Sequence, residues 1–223
     1  MFNSNDEEFD EEFDEEFLIE KAKIKIVGVG DFGAEMVNYS IANMLLEVKF
    51  AVVATKNETL LKSSASQRIK VTDSIDEEVK KIFSELVKDV DVLFIFTDLS
   101  DENISMQLAE LAEKVLTVAA VPSANFDKEK IEKFQNLTDS LIVVENRNVD
   151  LMFKVARCIS GLVDYEDGLV GLDYADIKSI LTKSCRGYIA CGKANGEKAT
   201  DAMKIAINSM EEILQHSKRI LLG

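Results

Sequence analysis

The sequence has little of what builds metal centres, disulfide frameworks or membrane spans. It contains one histidine, three cysteines, one proline and no tryptophan in 223 residues. Cys158, Cys185 and Cys191 lack metal-type spacing, so they predict reduced thiols rather than a zinc site or disulfides. No apolar run reaches the roughly 18–20 residues of a membrane span, and the acidic N-terminus is unlike a secretion signal. We therefore expect a cytoplasmic protein without a bound metal.

Basic residues are also scarce. The chain has 26 Lys and Arg residues against 41 Asp and Glu residues, a formal net charge of −15. Ten of the acids lie in residues 1–20, which hold no Lys or Arg, so the remainder carries 31 acids and 26 bases. Because such a surface repels phosphates, neither nucleic acid nor an anionic membrane is expected as a partner.

Residues 1–20 form an acidic leader with a repeated aromatic unit. Phe9, Phe13 and Phe17 recur at i, i+4 and i+8 in the run EEFDEEFDEEF. Like charges at the same spacing oppose a helix, so we expect the isolated leader to be disordered. Two roles stay open. The leader is either a solubilising tail, or a docking peptide whose three rings enter an apolar groove on this subunit, a second copy or a partner.

Beyond residue 21, short β-rich runs alternate with amphipathic helical patterns. The predicted strands cover residues 23–29, 50–55, 90–97, 116–121, 140–144 and 187–194, with a strand or loop at 68–71. Apolar residues between them recur at helical spacing, as in residues 76–88. This alternation predicts an α/β fold with a mostly parallel, Rossmann-like sheet and helices on both faces.

The first predicted strand leads into a G-x-G-x-x-G turn made by Gly28, Gly30 and Gly33. A strand, this turn and a helix together can present backbone N–H groups to a phosphate. Dinucleotide binding also needs an acid at the end of the second strand, about twenty residues on. The chain has Lys56 near that point, which disfavours NAD. A Rossmann-type sensor of NAD or an adenine nucleotide is kept as an alternative.

Two acids mark the start of another helical pattern, in the run GLVGLDYADIKSIL of residues 168–181. Asp173 falls at the N-cap position and Asp176 lies one turn inside, with apolar residues following at helical spacing. In one interpretation both carboxylates only cap the helix and complement its dipole, contributing about 0.5–2 kcal/mol. In the other they belong to a functional loop.

That run resembles a loop of the FtsZ/tubulin superfamily, whose pattern is G-x-x-N-x-D-(F/Y)-A-D-(V/I). Gly168 and residues 173–177 match it, and Gly171 replaces the asparagine. Residues 24–30 are similar to the family's I-K-V-(I/V)-G-V-G. Residues 139–148 are similar to D-S-L-I-x-I-P-N-D, with Asn146 as the motif asparagine. Residues 192–197 are similar to G-x-A-x-G-E, so the resemblance spans roughly residues 22–222.

The resemblance implies how the chain is organised and what it binds. Beyond the leader, it implies an FtsZ-type nucleotide-binding domain at 21–148, a shortened central helix and linker at 149–167, and a truncated α+β second domain at 168–223. In the family, GTP lies between stacked subunits, and the second subunit supplies two acids that orient the attacking water. By resemblance, Asp173 and Asp176 would act on a neighbour's nucleotide. The positions that match the family's own GTP or GDP pocket are Gly28, Gly30, Gly33 and Asn146.

The chain departs from the family where phosphates bind. Asp31 and Phe32 replace glycines, and we expect the carboxylate to repel phosphates and the ring to close their space. The glycine-rich signature G-G-G-T-G-(T/S)-G corresponds to residues 97–103, TDLSDEN, which contain three acids and no glycine. We expect Ser100 or Asp101 simply to cap the next helix.

Three functions follow from this pattern. The first is a non-catalytic FtsZ-like cell-division protein with a degraded GTP pocket, which docks its Asp173/Asp176 loop on FtsZ or on another copy of itself. The second is a divergent GTPase that binds GTP through Gly28, Gly30 and Gly33 and self-associates. The third is the Rossmann-type nucleotide sensor.

Overall fold

The computed structural model describes residues 22–45, 48–72, 76–123, 127–144, 147–163, 174–183, 185–189, 192–194 and 199–208. The leader with its three phenylalanines, Asn146 and Asp173 lie outside these ranges. The elements are β1 Ile24–Val29, α1 Gly30–Ala42, β2 Val48–Ala54, α2 Asn57–Lys62, β3 Gln67–Lys70, α3 Glu77–Val87, β4 Val92–Phe96, α4 Glu102–Leu111, β5 Leu116–Pro122, α5 Lys128–Leu137, β6 Ser140–Val144, α6 Val149–Val163, α7 Tyr174–Leu181, β7 Cys185–Gly187 and α8 Ala199–Asn208.

The strands form one seven-stranded sheet in the order β3-β2-β1-β4-β5-β6-β7. Every neighbouring pair is parallel. The order reverses between β1 and β4, since the chain moves outward to β3 on one side and to β7 on the other. This arrangement confirms the predicted α/β fold with a Rossmann-like parallel sheet.

Helices cover both faces of the sheet, because the central strands are apolar on both sides. β1, β4 and β5 are buried along their whole length, as is typical of parallel strands. One apolar core joins the sheet to α1 and α6, and its members include Phe94, Met36 and Phe153. The opposite core joins the sheet to α3, α4 and α5, and its members include Ile95, Phe83 and Phe134.

The strand predicted at residues 187–194 is wrong in position. β7 covers Cys185–Gly187 and pairs with Ser140–Ile142 of β6. The described residues that follow, 188–189 and 192–194, are not in a strand. β7 extends the same sheet although it lies in the segment assigned to a second domain, and the division into domains stays a prediction.

The described helices include none with both the length and the apolar character needed to cross a bilayer. Within the same ranges, no group of three or more His, Cys, Asp or Glu side chains is placed to hold a metal ion.

Candidate functional site

The candidate site lies at the carboxyl ends of β1 and β4, where the strand order reverses. In open parallel sheets, ligands bind in the crevice at this point. The chain leaves β1 at Gly30 and leaves β4 at Thr97. Two cations flank these positions, Lys56 after β2 and Arg147 after β6.

The three glycines of the first turn have different structural roles. A Cβ on Gly28 would overlap the Gly33 backbone, and a Cβ on Gly33 would overlap the carbonyl of Phe96. These two glycines therefore let α1 pack closely on β1 and β4. Gly30 has φ +71°, a conformation that favours glycine. It turns the chain directly from β1 into α1.

The first turn of α1 faces the crevice, and a carboxylate lies beside it. The N-cap residue Val29 makes no side-chain capping hydrogen bond, and the backbone N–H groups of a first helical turn carry positive partial charge. A Cβ on Gly30 would overlap Oδ2 of Asp101. The loop after β4 thus places its own carboxylate against the turn that the sequence assigned to phosphate.

The loop after β4 uses its own side chains to hold its backbone. The buried hydroxyl of Thr97 accepts a hydrogen bond from Leu99 N–H at 3.0 Å and lies 2.9 Å from the Ser105 hydroxyl. Asp98 Oδ1 accepts from Ser100 N–H at 3.1 Å. The N–H groups of Leu99 and Ser100 are therefore hydrogen-bonded within the loop and are not directed at a ligand.

Asp101 lies at the predicted N-cap position of α4, but the predicted capping hydrogen bond is not made. Asp101 is the N-cap residue of α4, but its side chain makes no capping hydrogen bond there. The hydroxyl of Ser105 donates instead to the Asp101 carbonyl at 3.1 Å. The carboxylate is directed toward Gly30, on another element, which local sequence patterns do not report.

The charge of the Asp31 carboxylate is balanced by residues that follow β2. Its carboxylate lies 2.6 Å from Lys56 Nζ and accepts a hydrogen bond from the Thr59 hydroxyl. The Lys56 and Thr59 hydrogen bonds lower the pKa of Asp31, and the same pairing raises the pKa of Lys56. Lys56 thus links the segment after β2 to the start of α1. In a dinucleotide-binding protein, the position of Lys56 near the end of β2 would carry the ribose-binding acid.

Phe32 and Arg147 form a stack at the edge of the crevice. Phe32 is 1% exposed and belongs to the core beneath α1. The Arg147 guanidinium lies 4.4 Å from its ring centroid, 3.5 Å from Asp98 and 3.9 Å from Glu35. Sequence reasoning missed Arg147, because a lone arginine after a strand belongs to no motif. Its only signal was its position next to Asn146.

Asp176 lies on a different part of the molecule from the glycine turn. It is in the first turn of α7 with an exposed side chain, while the buried Ile177 fixes the helix to the core. α7 leads into β7 at the amino end of β6, where Lys183 N–H donates to Asp139 Oδ1 at 3.3 Å. The glycines stand at the carboxyl ends of the strands, so this subunit does not bring the two together.

The chain is similar in sequence to curated FtsZ proteins. It is 28% identical to cell division protein FtsZ 1 of Methanocaldococcus jannaschii over 240 residues, 85% of this chain and 65% of that protein. It is 26% identical to mitochondrial division protein fszB of Dictyostelium discoideum, over 84% of this chain and 65% of the relative. The chain therefore spans about two thirds of the length of these relatives. No model of a protein family matches it.

Solved structures share the fold. A point mutant of FtsZ from M. jannaschii matches with a TM-score of 0.73 at 21% identity, over 85% of this chain and 71% of that one. An empty FtsZ dimer from the same organism gives 0.68 at 24% identity, over 85% of this chain and 69% of that one. TubZ of a Clostridium botulinum phage gives 0.58 at 14%, over 83% of this chain and 74% of that one. At these identities the likeness establishes the architecture.

Proposed function

We propose that the chain, which is similar in sequence and fold to FtsZ proteins, is a divergent member of the FtsZ/tubulin superfamily that acts as a non-catalytic filament subunit or modulator. It docks through the loop that carries Asp173 and Asp176 onto the nucleotide-bearing end of an FtsZ subunit. The docked pair of acids then faces the partner's GTP or GDP, whereas its own crevice holds no nucleotide.

One observation carries this proposal. The loop after β4 has no glycine, and Thr97 and Asp98 accept the N–H groups of Leu99 and Ser100. A phosphate cradle needs such amide groups to point outward, so the crevice is poorly suited to a triphosphate. The exposed position of Asp176 in the first turn of α7 supports the other half of the proposal, since a second subunit can reach this end of the helix.

The test is an FtsZ polymerisation assay with the FtsZ of the organism that encodes this chain. Polymer mass and GTP turnover are followed by sedimentation and phosphate release while the full chain is titrated in. The wild-type chain is expected to change both. The double variant Asp173→Ala/Asp176→Ala is expected to need roughly tenfold or more protein for the same effect, because charged groups at the interface are lost.

Asp201→Ala is the matched control. Asp201 is also an exposed acid in the first turn of a helix, α8, so this variant should act like the wild type. If the double variant acts as strongly as the wild type, the docking surface is wrong. If the chain alone hydrolyses GTP at a rate that rises steeply with its concentration, the divergent GTPase replaces this proposal. Thermal stabilisation by dinucleotides only would favour the nucleotide sensor.

A further inference from the structure

We propose that the Asp101 carboxylate is a built-in anion, which occupies the N-terminal end of α1 and keeps phosphate groups out of the crevice. This proposal deepens the one above, because it names the group that closes the chain's own pocket. It concerns a contact between the loop after β4 and the turn after β1, and it does not depend on what the α7 face binds.

The geometry places the carboxylate where a phosphate would have to approach. Oδ2 of Asp101 fills the space of a Cβ on Gly30, the first residue of α1. Gly30 allows this close approach because it has no side chain and adopts φ +71°. An anion at this end of a helix is favoured by the helix dipole. The carboxylate therefore satisfies the same field that attracts phosphates in nucleotide-binding proteins.

The loop has little freedom to withdraw the carboxylate. Leu99 is 5% exposed and has φ +58°, and the Thr97 hydroxyl holds its backbone N–H. The amide of Ser105 donates to the Asp101 carbonyl at 3.1 Å, as does its hydroxyl. These contacts fix the backbone on both sides of Asp101, so the carboxylate can leave the crevice only by rotation of its own side chain.

The surrounding charges strengthen the exclusion. The carboxylates of Asp31, Glu35 and Asp98 lie around the same crevice, and each contacts one of the two cations. Lys56 pairs with Asp31, while Arg147 lies between Glu35 and Asp98. Asp101 adds a fourth carboxylate, which also interacts electrostatically with Lys56. Among these described residues, four acids stand against two cations, an excess of negative charge where a polyanion would bind.

The experiment measures binding of GTP, GDP and pyrophosphate to the full chain by titration calorimetry, in the wild type and in Asp101→Ala. Removal of the carboxylate clears both the space and the charge at Gly30. We expect Asp101→Ala to bind GTP and GDP roughly tenfold to a hundredfold more tightly than the wild type, the effect of one like charge removed at close range. Asp101→Asn removes the charge and keeps the volume, so a smaller gain is expected.

Glu102→Gln is the control that removes one charge from the next residue. Glu102 pairs with Lys130 at 2.9 Å on α5, away from the crevice, so this variant should bind nucleotide as the wild type does. Circular dichroism establishes whether each variant is folded. If Asp101→Ala does not fold, the nucleotide affinity of Asp101→Asn tests the proposal instead.

Two comparisons separate this proposal from the proposed function. If neither Asp101 variant binds nucleotide more tightly than Glu102→Gln, the Asp101 proposal is overturned, and the docking role stands untouched. If the wild type already binds GTP at micromolar concentration, the closed pocket of the proposed function fails. The ratio between Asp101→Ala and the wild type still decides what Asp101 does.

Discussion

At the scale of single residues, Gly30 carries two independent constraints. Its φ of +71° disfavours any side chain, and Oδ2 of Asp101 occupies the position of a Cβ. Gly30→Ala is therefore expected to lower the free energy of unfolding by about 1–3 kcal/mol, measured by urea denaturation. In an Asp101→Ala background the loss should be smaller, because only the backbone strain remains. An equal loss in both backgrounds would show that the two residues do not touch.

The ion pair of Asp31 gives a pH-dependent signal at the same turn. Because Lys56 and Thr59 lower the pKa of Asp31 in the folded state, the pair stabilises the fold at pH values above the unfolded pKa. That stability is lost as the pH falls through the lower, folded pKa. The Asp31 side chain is 62% exposed, so solvent screening keeps the contribution of the pair to stability small.

A carboxyl NMR titration tests this pair directly. Lys56→Gln removes the cation, and the pKa of Asp31 is then expected to rise toward its ordinary value, with a smaller rise in Thr59→Val. Lys62→Gln is the control. Lys62 pairs with Glu58 at 2.6 Å, and it lowers the pKa of Asp31 less than Lys56 and Thr59 do. An Asp31 pKa that is the same in Lys56→Gln and the wild type would contradict the ion pair.

At the scale of elements, the sequence predicts a strand well when the strand is long and continuously apolar. β4 and β5 were evident because buried parallel strands are continuous apolar runs. β7 was misplaced because a three-residue edge strand, Cys-Arg-Gly, has no such pattern. The run that follows it is more apolar and therefore favours a strand in the sequence, although the pairing of β7 with β6 ends at Gly187 and Ile142.

The candidate site divides in the same way. The glycine turn and the acidic loop were predicted, because each is a short run with a fixed spacing. The approach of Asp101 to Gly30 joins residues that follow separate strands and depends on the pairing of β1 with β4. The stack of Arg147 on Phe32 depends likewise on the packing of α1 beside α6, which begins two residues after Arg147. No local pattern encodes contacts that only the assembled sheet creates.

At the scale of the whole molecule, the join between β6 and β7 decides whether residues 168–223 behave as a separate domain. A Cβ on Gly187 would lie 3.0 Å from Ile142 Cγ1 and 3.1 Å from Ser140 Oγ, closer than ordinary packing. Gly187→Ala is therefore expected to push β7 away from β6 without disturbing β1 or β4. Hydrogen exchange should then quicken at backbone amides of β6 and β7, while the central strands keep the slowest exchange of the sheet.

Gly161→Ala is the control for that experiment, because a Cβ at Gly161 on α6 meets nothing within 4 Å. It should leave exchange in β6 and β7 unchanged. If Gly187→Ala quickens exchange only in β7 and leaves every amide of β6 as in the wild type, the β6–β7 pairing is not a stable part of the sheet. Residues 168–223 would then form a unit of their own, and the docking surface on α7 would move independently of the crevice that Asp101 closes.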